Sequence, residues 1–178
     1  AGSTTHGNNT MSFYYAPAGV NVDLSFVNND ATLSDGSIGR VLNDGHGNVE
    51  TYIRNIHNIT GTLNHGDILK GNSDNNIISG LGGHDEIHGI GGENTLLGGT
   101  GNDTFVDTDF TADTIDGGSE TDLSRGSDTV DYSQIATNGV SVTLNNDTAA
   151  TVTIGTATHT IVNIENIKGT NQADNIIG

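Results

Sequence analysis

The sequence lacks cysteine and tryptophan, and it has a single proline and a single methionine among its 178 residues. Without cysteine the chain has neither disulfide bridges nor thiolate metal ligands, so it must be stabilised in another way. Hydrophobic residues make up 32% of the chain and aromatic residues 4%, whereas glycine contributes 26 residues. A thick two-layer core is hard to build from so little apolar material, and the composition therefore favours a linear stack of short repeats.

Basic residues are also scarce. Five lysines and arginines stand against 22 acidic residues, which gives a formal net charge of −17. Such a chain repels nucleic acid and anionic membrane surfaces, because both carry the same sign of charge. Self-repulsion and low burial would keep it expanded unless a cation compensates. We therefore expect no nucleic-acid partner, and bound metal is the expected stabiliser.

Long apolar runs and the common catalytic motifs are missing as well. No run approaches the roughly 20 residues needed to span a bilayer, and no secretory leader pattern opens the chain. The sequence has no G-x-S-x-G elbow, no H-E-x-x-H pair and no phosphate-binding loop. These absences predict a module that does not span a membrane and is not itself an enzyme, although a larger parent protein could carry an activity.

The chain does contain an internal repeat of nine residues. Five units run without a gap over residues 62–106 and read TLNHGDILK, GNSDNNIIS, GLGGHDEIH, GIGGENTLL and GGTGNDTFV. The sixth place of these units holds Asp67, Asn76, Asp85, Asn94 and Asp103. The eighth place holds Leu69, Ile78, Ile87, Leu96 and Phe105. A polar turn therefore alternates with a short strand that has one apolar anchor.

The repeat continues past residue 106 with interruptions. One extra residue, Asp107, precedes a sixth unit at 108–116, whose sixth place is Asp113. A seventh unit begins at Gly117 and has Asp128 in its sixth place if residues 120–125 form a loop insertion. This interpretation predicts that the coil continues across the insertion.

Two further points concern the register of the later units. A rival alignment of the seventh unit makes Asp122 the sixth-place residue, but it puts Ser124 in the apolar place, which argues against it. A last unit at 169–177 has Asp174 and Ile176 in the two key places. We expect a further array to begin there.

A second, longer repeat flanks the nonapeptides. Tyr15 and residues 19–24 match Tyr132 and residues 139–144, and residues 53–61 match residues 161–169. The first pair of segments alternates apolar and polar residues, as half-buried strands do, and each copy leads into nonapeptides. We expect these copies to be adaptor coils on the same solenoid. The predicted organisation is a β adaptor or capping segment at 1–61, a nonapeptide β-roll at 62–133, a second β adaptor at 134–168 and the start of a further array at 169–178.

The nonapeptide pattern resembles the G-G-x-G-x-D-x-U-x repeat of the RTX (repeat-in-toxin), or haemolysin-type calcium-binding, family, in which U is a large apolar residue. The unit GGTGNDTFV at 98–106 fits this pattern at every specified place. The resemblance implies an all-β fold: a parallel β-roll (β-solenoid) of glycine-rich nonapeptides with flanking longer β adaptor coils. In that family two nonapeptides complete one coil, so each repeat lies over the next but one.

The resemblance also implies that several calcium ions bind in the turns. Calcium takes six to eight oxygen ligands at about 2.3–2.6 Å, and glycine readily adopts the backbone conformations that bring carbonyl oxygens so close together. Aspartate supplies the negative charge. The residues expected to bind calcium are Asp67, Asn76, Gly80, Gly82, Gly83, Asp85, Gly89, Gly91, Gly92, Asn94, Gly98, Gly99, Thr100, Gly101, Asp103, Asp113, Gly117 and Asp128.

Stacking of alternate repeats separates two rows of sixth-place residues. The Asp row contains Asp67, Asp85, Asp103 and Asp128, and the Asn row contains Asn76, Asn94 and Asp113. Asparagine offers an oxygen without a charge, so we expect the Asn row to bind calcium more weakly or to replace it in part with amide hydrogen bonds. Asp74 is a candidate additional carboxylate for the Asn row. The alternative is an ordinary surface turn without metal, because Asp and Gly favour such turns.

Two other patterns have simpler explanations. His84 and His88 are four residues apart, but that spacing converges on a helix and these residues lie in a turn and a strand, so we expect surface histidines rather than zinc ligands. Residues 156–160 alternate threonines as an ice-binding strand does, but one strand is not a flat array and threonine simply suits strands.

The resemblance implies a calcium-binding module of a secreted bacterial protein. RTX arrays occur in proteins exported by type I secretion, and cytosolic calcium is too low to fill them, so such chains fold outside the cell. We therefore expect an extracellular or cell-surface structural, secretion or adhesin domain, present as a monomeric module of a larger chain. The alternative is a calcium-dependent module that binds a polysaccharide or ice. Direct binding of a polyanion is disfavoured because the only basic residues are Arg40, Arg54, Lys70, Arg125 and Lys168.

Overall fold

The computed structural model describes residues 8–26, 38–48, 51–118, 126–144 and 148–178. Within these ranges the chain forms short β-strands and no helix. None of the described segments is therefore a helix long and apolar enough to cross a membrane. The predicted insertion at residues 120–125, with Asp122 and Ser124, lies outside the described residues.

The strands form two sheets. In chain order they are β1 Thr10–Ser12, β2 Asn21–Asp23, β3 Ile38–Asn43, β4 Thr51–Arg54, β5 Asn58–Thr60, β6 Ile68–Lys70, β7 Ile77–Gly82, β8 Glu86–His88, β9 Thr95–Thr100, β10 Thr104–Val106, β11 Thr114–Asp116, β12 Thr129–Asp131, β13 Val140–Thr143, β14 Ala150–Ile154, β15 Ala157–Val162, β16 Asn166–Lys168 and β17 Asn175–Ile177. The nine-stranded sheet has the order β1-β5-β7-β9-β11-β15-β14-β13-β17, and the eight-stranded sheet has the order β16-β12-β10-β8-β6-β2-β3-β4.

Strands from alternate nonapeptides stack in parallel and in register. In the eight-stranded sheet the paired residues are, in order, Val22, Leu69, Ile87, Phe105, Val130 and Ile167. In the nine-stranded sheet they are Ile59, Ile78, Leu96, Ile115 and Ile161. The eighth-place residues thus form one apolar ladder in each sheet. The predicted all-β fold, a parallel β-roll, is confirmed.

The two ladders make up a narrow core. Each strand from β6 to β12 contributes one fully buried ladder side chain, as β8 illustrates: Ile87 is 0% exposed, Glu86 is exposed and His88 is half-buried. Burial of a Leu, Ile or Phe side chain contributes about 1.5–3 kcal/mol. Since only one such side chain is buried per nine residues, apolar burial alone is a small counterweight to the entropy of ordering the turns.

The longer segments extend the same two sheets. β2 continues the eight-stranded sheet beyond β6 and carries antiparallel β3 and β4. β15 continues the nine-stranded sheet beyond β11 and carries antiparallel β14 and β13. β17 then pairs in parallel with β13. The longer segments that flank the nonapeptides at 62–133 therefore add antiparallel strands to the sheets of the roll.

Candidate metal-binding turns

The Asp row forms a continuous ladder of hydrogen bonds between turns. The backbone N–H of Asp67 donates to Oδ1 of Asp85, and that of Asp85 donates to Oδ1 of Asp103, both at 2.8 Å. The N–H of Asp103 donates in the same way to Oδ1 of Asp128. All four side chains are buried. Because the sixth place precedes the strand directly, the parallel register brings each carboxylate over the amide of the preceding coil.

Asp85 illustrates the surroundings of the second carboxylate oxygen, Oδ2, in the Asp row. Its Oδ2 is buried and accepts no hydrogen bond. A Cβ on Gly80, the first residue of the same nonapeptide, would clash with this oxygen, so glycine is required there. A buried carboxylate oxygen without a donor is unfavourable unless a cation or a proton compensates.

Electrostatic repulsion acts on the same carboxylate. The pKa of Asp85 is raised to about 7. Burial is the main cause and the charges of Asp103 and Asp67 add to it, whereas the hydrogen bond from the N–H of Asp67 lowers the pKa. Like charges at neighbouring turns thus oppose ionisation at neutral pH. A divalent cation between the turns would remove this repulsion.

The other first-place glycines fit the same arrangement. A Cβ on Gly98 would clash with Oδ2 of Asp103, and a Cβ on Gly117 would clash with Oδ2 of Asp128. In the Asn row, a Cβ on Gly89 would lie 2.9 Å from Nδ2 of Asn94. The sixth-place side chain therefore packs against the backbone of the first-place glycine of the same unit.

The second and fourth places need left-handed backbone. Gly99 has a φ of 112° at the second place, and Gly83 and Gly101 have a φ of 122° at the fourth. A Cβ on Gly101 would clash with the carbonyl oxygen of Gly83, and a Cβ on Gly99 would clash with that of Leu81. Carbonyl oxygens of one turn thus lie close beneath the next turn, which gives the dense oxygen surface that calcium coordination requires.

Two units have a residue other than glycine in a left-handed conformation at the second place. Leu81 and Ile90 have φ values of 78° and 80°, so both adopt a conformation that L-residues with a Cβ rarely take. The parallel strand pairing explains why, because Leu81 pairs with Gly99 and must follow its path. Pairing with the next coil, rather than the intrinsic preference of Leu81 and Ile90, therefore determines the backbone conformation of these turns.

The Asn row has the same ladder but a different second atom. The N–H of Asn76 donates to Oδ1 of Asn94 at 2.9 Å, and the N–H of Asn94 donates to Oδ1 of Asp113 at 2.8 Å. Nδ2 of Asn94 donates to the carbonyl oxygens of Gly91 and Gly92, at 3.2 and 3.0 Å. An amide donor thus engages turn carbonyls that would otherwise be free to bind a cation.

The remaining candidate residues lie at strand ends or on the surface. Gly82 and Thr100 are paired at the ends of β7 and β9. Asp74 is exposed and its N–H donates to Oδ1 of Asn72, so its carboxylate does not enter the buried row. Asp174 is exposed, and its Oδ1 accepts the N–H of Val140 at 2.9 Å.

The two histidines considered for zinc point to different partners. Nδ1 of His84 accepts the N–H of Asn102 at 2.7 Å. Nε2 of His88 lies 2.7 Å from Oε1 of Glu86. The structure brings neither histidine to a metal cluster among the described residues.

Three buried or ladder residues escaped the sequence analysis. Oε2 of Glu165 accepts the N–H of Asp128 at 2.8 Å and so ends the Asp row. His159 occupies the equivalent place after Asp113 in the Asn row, and Asp107 lies beside it. A signal was present for two of them, because Glu165 and His159 each precede an apolar ladder residue by two positions, as the sixth-place residues of the nonapeptides do. Asp107 has no such signal, since it falls between two units.

The arrangement fits calcium. The turns of Asp85 and Asp103 combine a buried carboxylate, closely spaced carbonyls and glycines that leave room for them, and this is an all-oxygen donor set of the kind that calcium prefers. A cation bound there would offset both the burial and the neighbouring charges that raise the pKa of Asp85.

Comparison with known proteins agrees with this chemistry. The model of the RTX calcium-binding nonapeptide repeat matches four copies, over residues 63–96, 70–105 and 88–124. No curated protein shows a significant match to the chain. The matched residues include the units that form most of both rows. The chain therefore carries an array of RTX calcium-binding nonapeptide repeats, folded as a β-roll, and this array is a calcium-binding module.

Proposed function

We propose that this module is a calcium-triggered folding domain of a secreted protein, with its main ions bound along the Asp row. The observation that carries the proposal is the buried Oδ2 of Asp85, which has no hydrogen-bond donor and lies against a glycine that leaves it room. Asp67, Asp85, Asp103 and Asp128 would supply the carboxylates, and the neighbouring glycine-rich turns would supply carbonyl oxygens.

Charge and core size support coupling of folding to calcium. The chain carries −17 charges, and its repeats bury one large apolar side chain each. Without cations, folding would stack buried carboxylates at neighbouring turns for little apolar gain. Binding free energy then becomes folding free energy, because the unfolded chain has no preformed sites.

This coupling suits export. RTX repeats are typical of secreted bacterial proteins, and a chain that needs calcium concentrations found outside the cell would stay unfolded before export. The module would then act as a structural, secretion or adhesin segment of a larger chain. The parent protein's own activity would lie in other parts of that chain.

The flanking segments would serve as adaptors. The described strands of residues 1–61 and 134–168 belong to the two sheets of the roll. The N–H of Val20 donates to Oδ1 of Asp67, and the N–H of Val140 donates to Oδ1 of Asp174. We propose that both segments cap an array by offering a backbone amide to its first carboxylate, and that residues 169–178 start the next array.

A crystal structure with calcium tests the site assignment. The anomalous signal of the ions should lie between the turns of Asp67, Asp85 and Asp103, with weaker or absent signal in the turns of Asn76 and Asn94. Ions that avoided the Asp row would refute the assigned ligands. The anomalous peaks also give the number of ions directly.

A groove near β1 favours a second candidate function, the binding of a glycan. The groove has a volume of about 400 Å³ and is lined by Ser12, Phe13, Tyr14, Tyr15, Ala16, Asp44 and His46. The side chain of Tyr15 is 89% exposed and packs edge-to-face against Tyr14. Exposed aromatic faces beside polar groups suit sugar rings. Because the chain is strongly acidic, a neutral or calcium-bridged glycan is the expected class.

A glycan array separates this candidate from a purely structural role. The protein should bind with calcium and lose binding with chelator, and Tyr15→Ala should weaken binding without changing calcium-dependent folding. An array without any specific signal would remove the second candidate and leave the first intact.

A further inference from the structure

A buried cluster of three polar side chains lies where the Asn row meets β15. Asp107, Asp113 and His159 are 3%, 3% and 0% exposed. Their potential ligand atoms, one from each residue, all lie within 4.8 Å of one another. Nδ1 of His159 is 3.0 Å from Oδ2 of Asp107. A histidine and two carboxylates thus converge inside the roll.

Each member is held by a different part of the chain. The N–H of Asp107 donates to the carbonyl oxygen of Asp131, at 3.1 Å. Oδ1 of Asp113 accepts the N–H of Asn94, and the carbonyl oxygen of Asp113 accepts the N–H of Thr160 at 2.9 Å. The pairing of β15 with β11 fixes this geometry, and it places His159 one coil beyond Asp113. Backbone bonds therefore position the three side chains independently of any contact among themselves.

The cluster contains buried polar atoms that lack hydrogen-bond partners. Both ring nitrogens of His159 and Oδ2 of Asp107 are buried and make no hydrogen bond of normal geometry, and the hydroxyl of Tyr132 is buried without a partner as well. The ring of Tyr132 packs edge-to-face on His159 at 5.9 Å between centroids, which closes this side of the cluster. A buried imidazole nitrogen without a partner is unfavourable and points to a missing ligand.

We propose that Asp107, Asp113 and His159 form a second type of metal site, which takes a nitrogen-accepting divalent ion of the zinc class rather than calcium. Calcium prefers oxygen ligands, whereas imidazole suits zinc and its neighbours in the first transition row. Zinc bonds nitrogen at about 2.0–2.1 Å and carboxylate oxygen at about 2.0–2.2 Å. A tetrahedral site then spaces its ligand atoms by about 3.3 Å, close to the observed approach of His159 and Asp107.

The site differs from the calcium turns in its ligands and in its position. It contains Asp107, which belongs to no nonapeptide, and His159, which stands where the coil would otherwise present an acidic or amide side chain. Nδ1 of His159, 3.0 Å from Oδ2 of Asp107, is the nitrogen placed to bind an ion together with that carboxylate, and Nε2 then carries the ring proton. The edge-to-face packing of Tyr132 on the ring restricts its orientation.

Two rival accounts make distinct predictions. In the first, His159 is protonated and forms a buried ion pair with the carboxylates, so no metal binds. In the second, the two carboxylates bind calcium and His159 does not take part. Both would leave zinc without a specific effect on the calcium-saturated protein.

The test uses the full chain saturated with calcium, whose folding is checked by circular dichroism before a second metal is added. This order separates the proposal from calcium-dependent folding, since either can fail alone. Co²⁺ is titrated as a spectroscopic substitute for zinc and followed by its visible absorption, and zinc is then added as competitor. Wild type should bind one equivalent with the absorption of a nitrogen-ligated, low-coordinate ion, and zinc should displace it.

Variants locate the ion. His159→Gln and Asp107→Asn should lose at least tenfold in Co²⁺ and zinc affinity, whereas His88→Gln, which changes a histidine in an outer strand position, should bind as wild type does. His159→Asp should exchange selectivity, with weaker zinc binding and new calcium binding. Equal affinity in His159→Gln, no binding by wild type, or displacement of Co²⁺ by millimolar calcium would each overturn the proposal.

A measurement on wild type guards against misfolded variants. The ¹⁵N resonances of the His159 ring should shift on addition of one equivalent of zinc, and they show which nitrogen binds the ion. Unchanged His159 resonances under saturating zinc would overturn the proposal without any substitution.

Discussion

The backbone N–H of Asp85 donates a 2.8 Å hydrogen bond to Oδ1 of Asp103, a residue one full coil further along the chain. One oxygen of the carboxylate is thus used to hold two coils in register, and the other faces the turn. This division explains how the same residue can order the roll and bind a cation. It also places carboxylates of equal charge at neighbouring coils, where only a cation or a proton relieves the repulsion.

The first prediction compares the two rows. Asp85→Ala and Asp103→Ala each remove a buried carboxylate, whereas Asn76→Ala and Asn94→Ala remove neutral amides that already bond to the protein. We expect the Asp variants to lose about tenfold or more in calcium affinity by calorimetric titration, which is about 1.4 kcal/mol, and the Asn variants to lose less. Equal losses in both pairs would contradict the assignment of the Asp row.

The second prediction concerns backbone strain. Leu81 and Ile90 hold a positive φ at the second place, where the unit at 98–106 has Gly99, and a left-handed conformation costs an L-residue about 1–2 kcal/mol. Leu81→Gly and Ile90→Gly should therefore raise the stability of the calcium-bound fold by up to about 1 kcal/mol after loss of side-chain contacts. Denaturant titration in excess calcium measures this change.

Leu63 provides the control for that experiment. It occupies the same second place of its own unit, but its φ is not positive. Leu63→Gly relieves no strain and adds freedom to the unfolded chain, so it should destabilise the protein. If all three glycine variants changed stability alike, strain at the second place would not be the cause.

The third prediction is a pH dependence with opposite signs in the two metal states. Burial raises the pKa of Asp85 to about 7 in the fold, from about 3.9 in the unfolded chain. A raised pKa contributes stability that is fully present below about pH 4 and lost as the pH rises through about 7. In chelator, the stability of the fold should therefore rise as the pH is lowered from 7.5 to 5. In calcium, protons compete with the ion, so calcium affinity should fall over the same range.

Asp85→Asn is the matched control for the pH experiment, because it keeps the shape of the side chain and removes its titration. The β-sheet signal in far-ultraviolet circular dichroism, measured in chelator as the pH is lowered from 7.5 to 5, should rise less in this variant than in wild type. A wild-type β-sheet signal that fell on this acidification would contradict the proposed destabilisation by the ionised Asp row.

The fourth prediction concerns residues 120–125. The coil is continuous on either side of them, since Phe105 pairs with Val130 and the N–H of Asp103 reaches Oδ1 of Asp128. Loop length has little effect on closure entropy, about 0.6 kcal/mol per doubling. Deletion of residues 120–125 should leave calcium-induced folding nearly intact, and Asp128→Ala should weaken calcium binding. The reverse pair of results would favour the rival alignment, with Asp122 as the ligand.

The repeat made much of the fold predictable. The nine-residue spacing of Leu69, Ile78 and Ile87, with the rule that alternate repeats stack, predicts the two ladders that the structure contains. The sixth-place Asp or Asn and the eighth-place apolar residue recur in these units, so their spacing gives the register once the stacking rule is known. The antiparallel direction of β14 could not be read in this way, because alternating apolar residues are common to both directions.

Contacts between distant segments were not predictable. His159 meets Asp107 only because β15 stacks on β11, across 52 residues of chain, and Asp107 itself is an irregularity in the repeat. Tyr15 and Tyr132 match in the sequence, yet Tyr15 is 89% exposed and Tyr132 is 0% exposed. The surroundings of a residue that lies outside the repeat depend on which coil lies beside it, and no local pattern records that.

The central claim is that calcium supplies the free energy that closes the roll, and far-ultraviolet circular dichroism of one sample, first in chelator and then in millimolar calcium at pH 7.5, tests it most directly. The account predicts a largely unordered spectrum in chelator and a β-sheet spectrum in calcium, reversible on renewed chelation. A β-sheet spectrum that persisted unchanged after complete removal of calcium would contradict it.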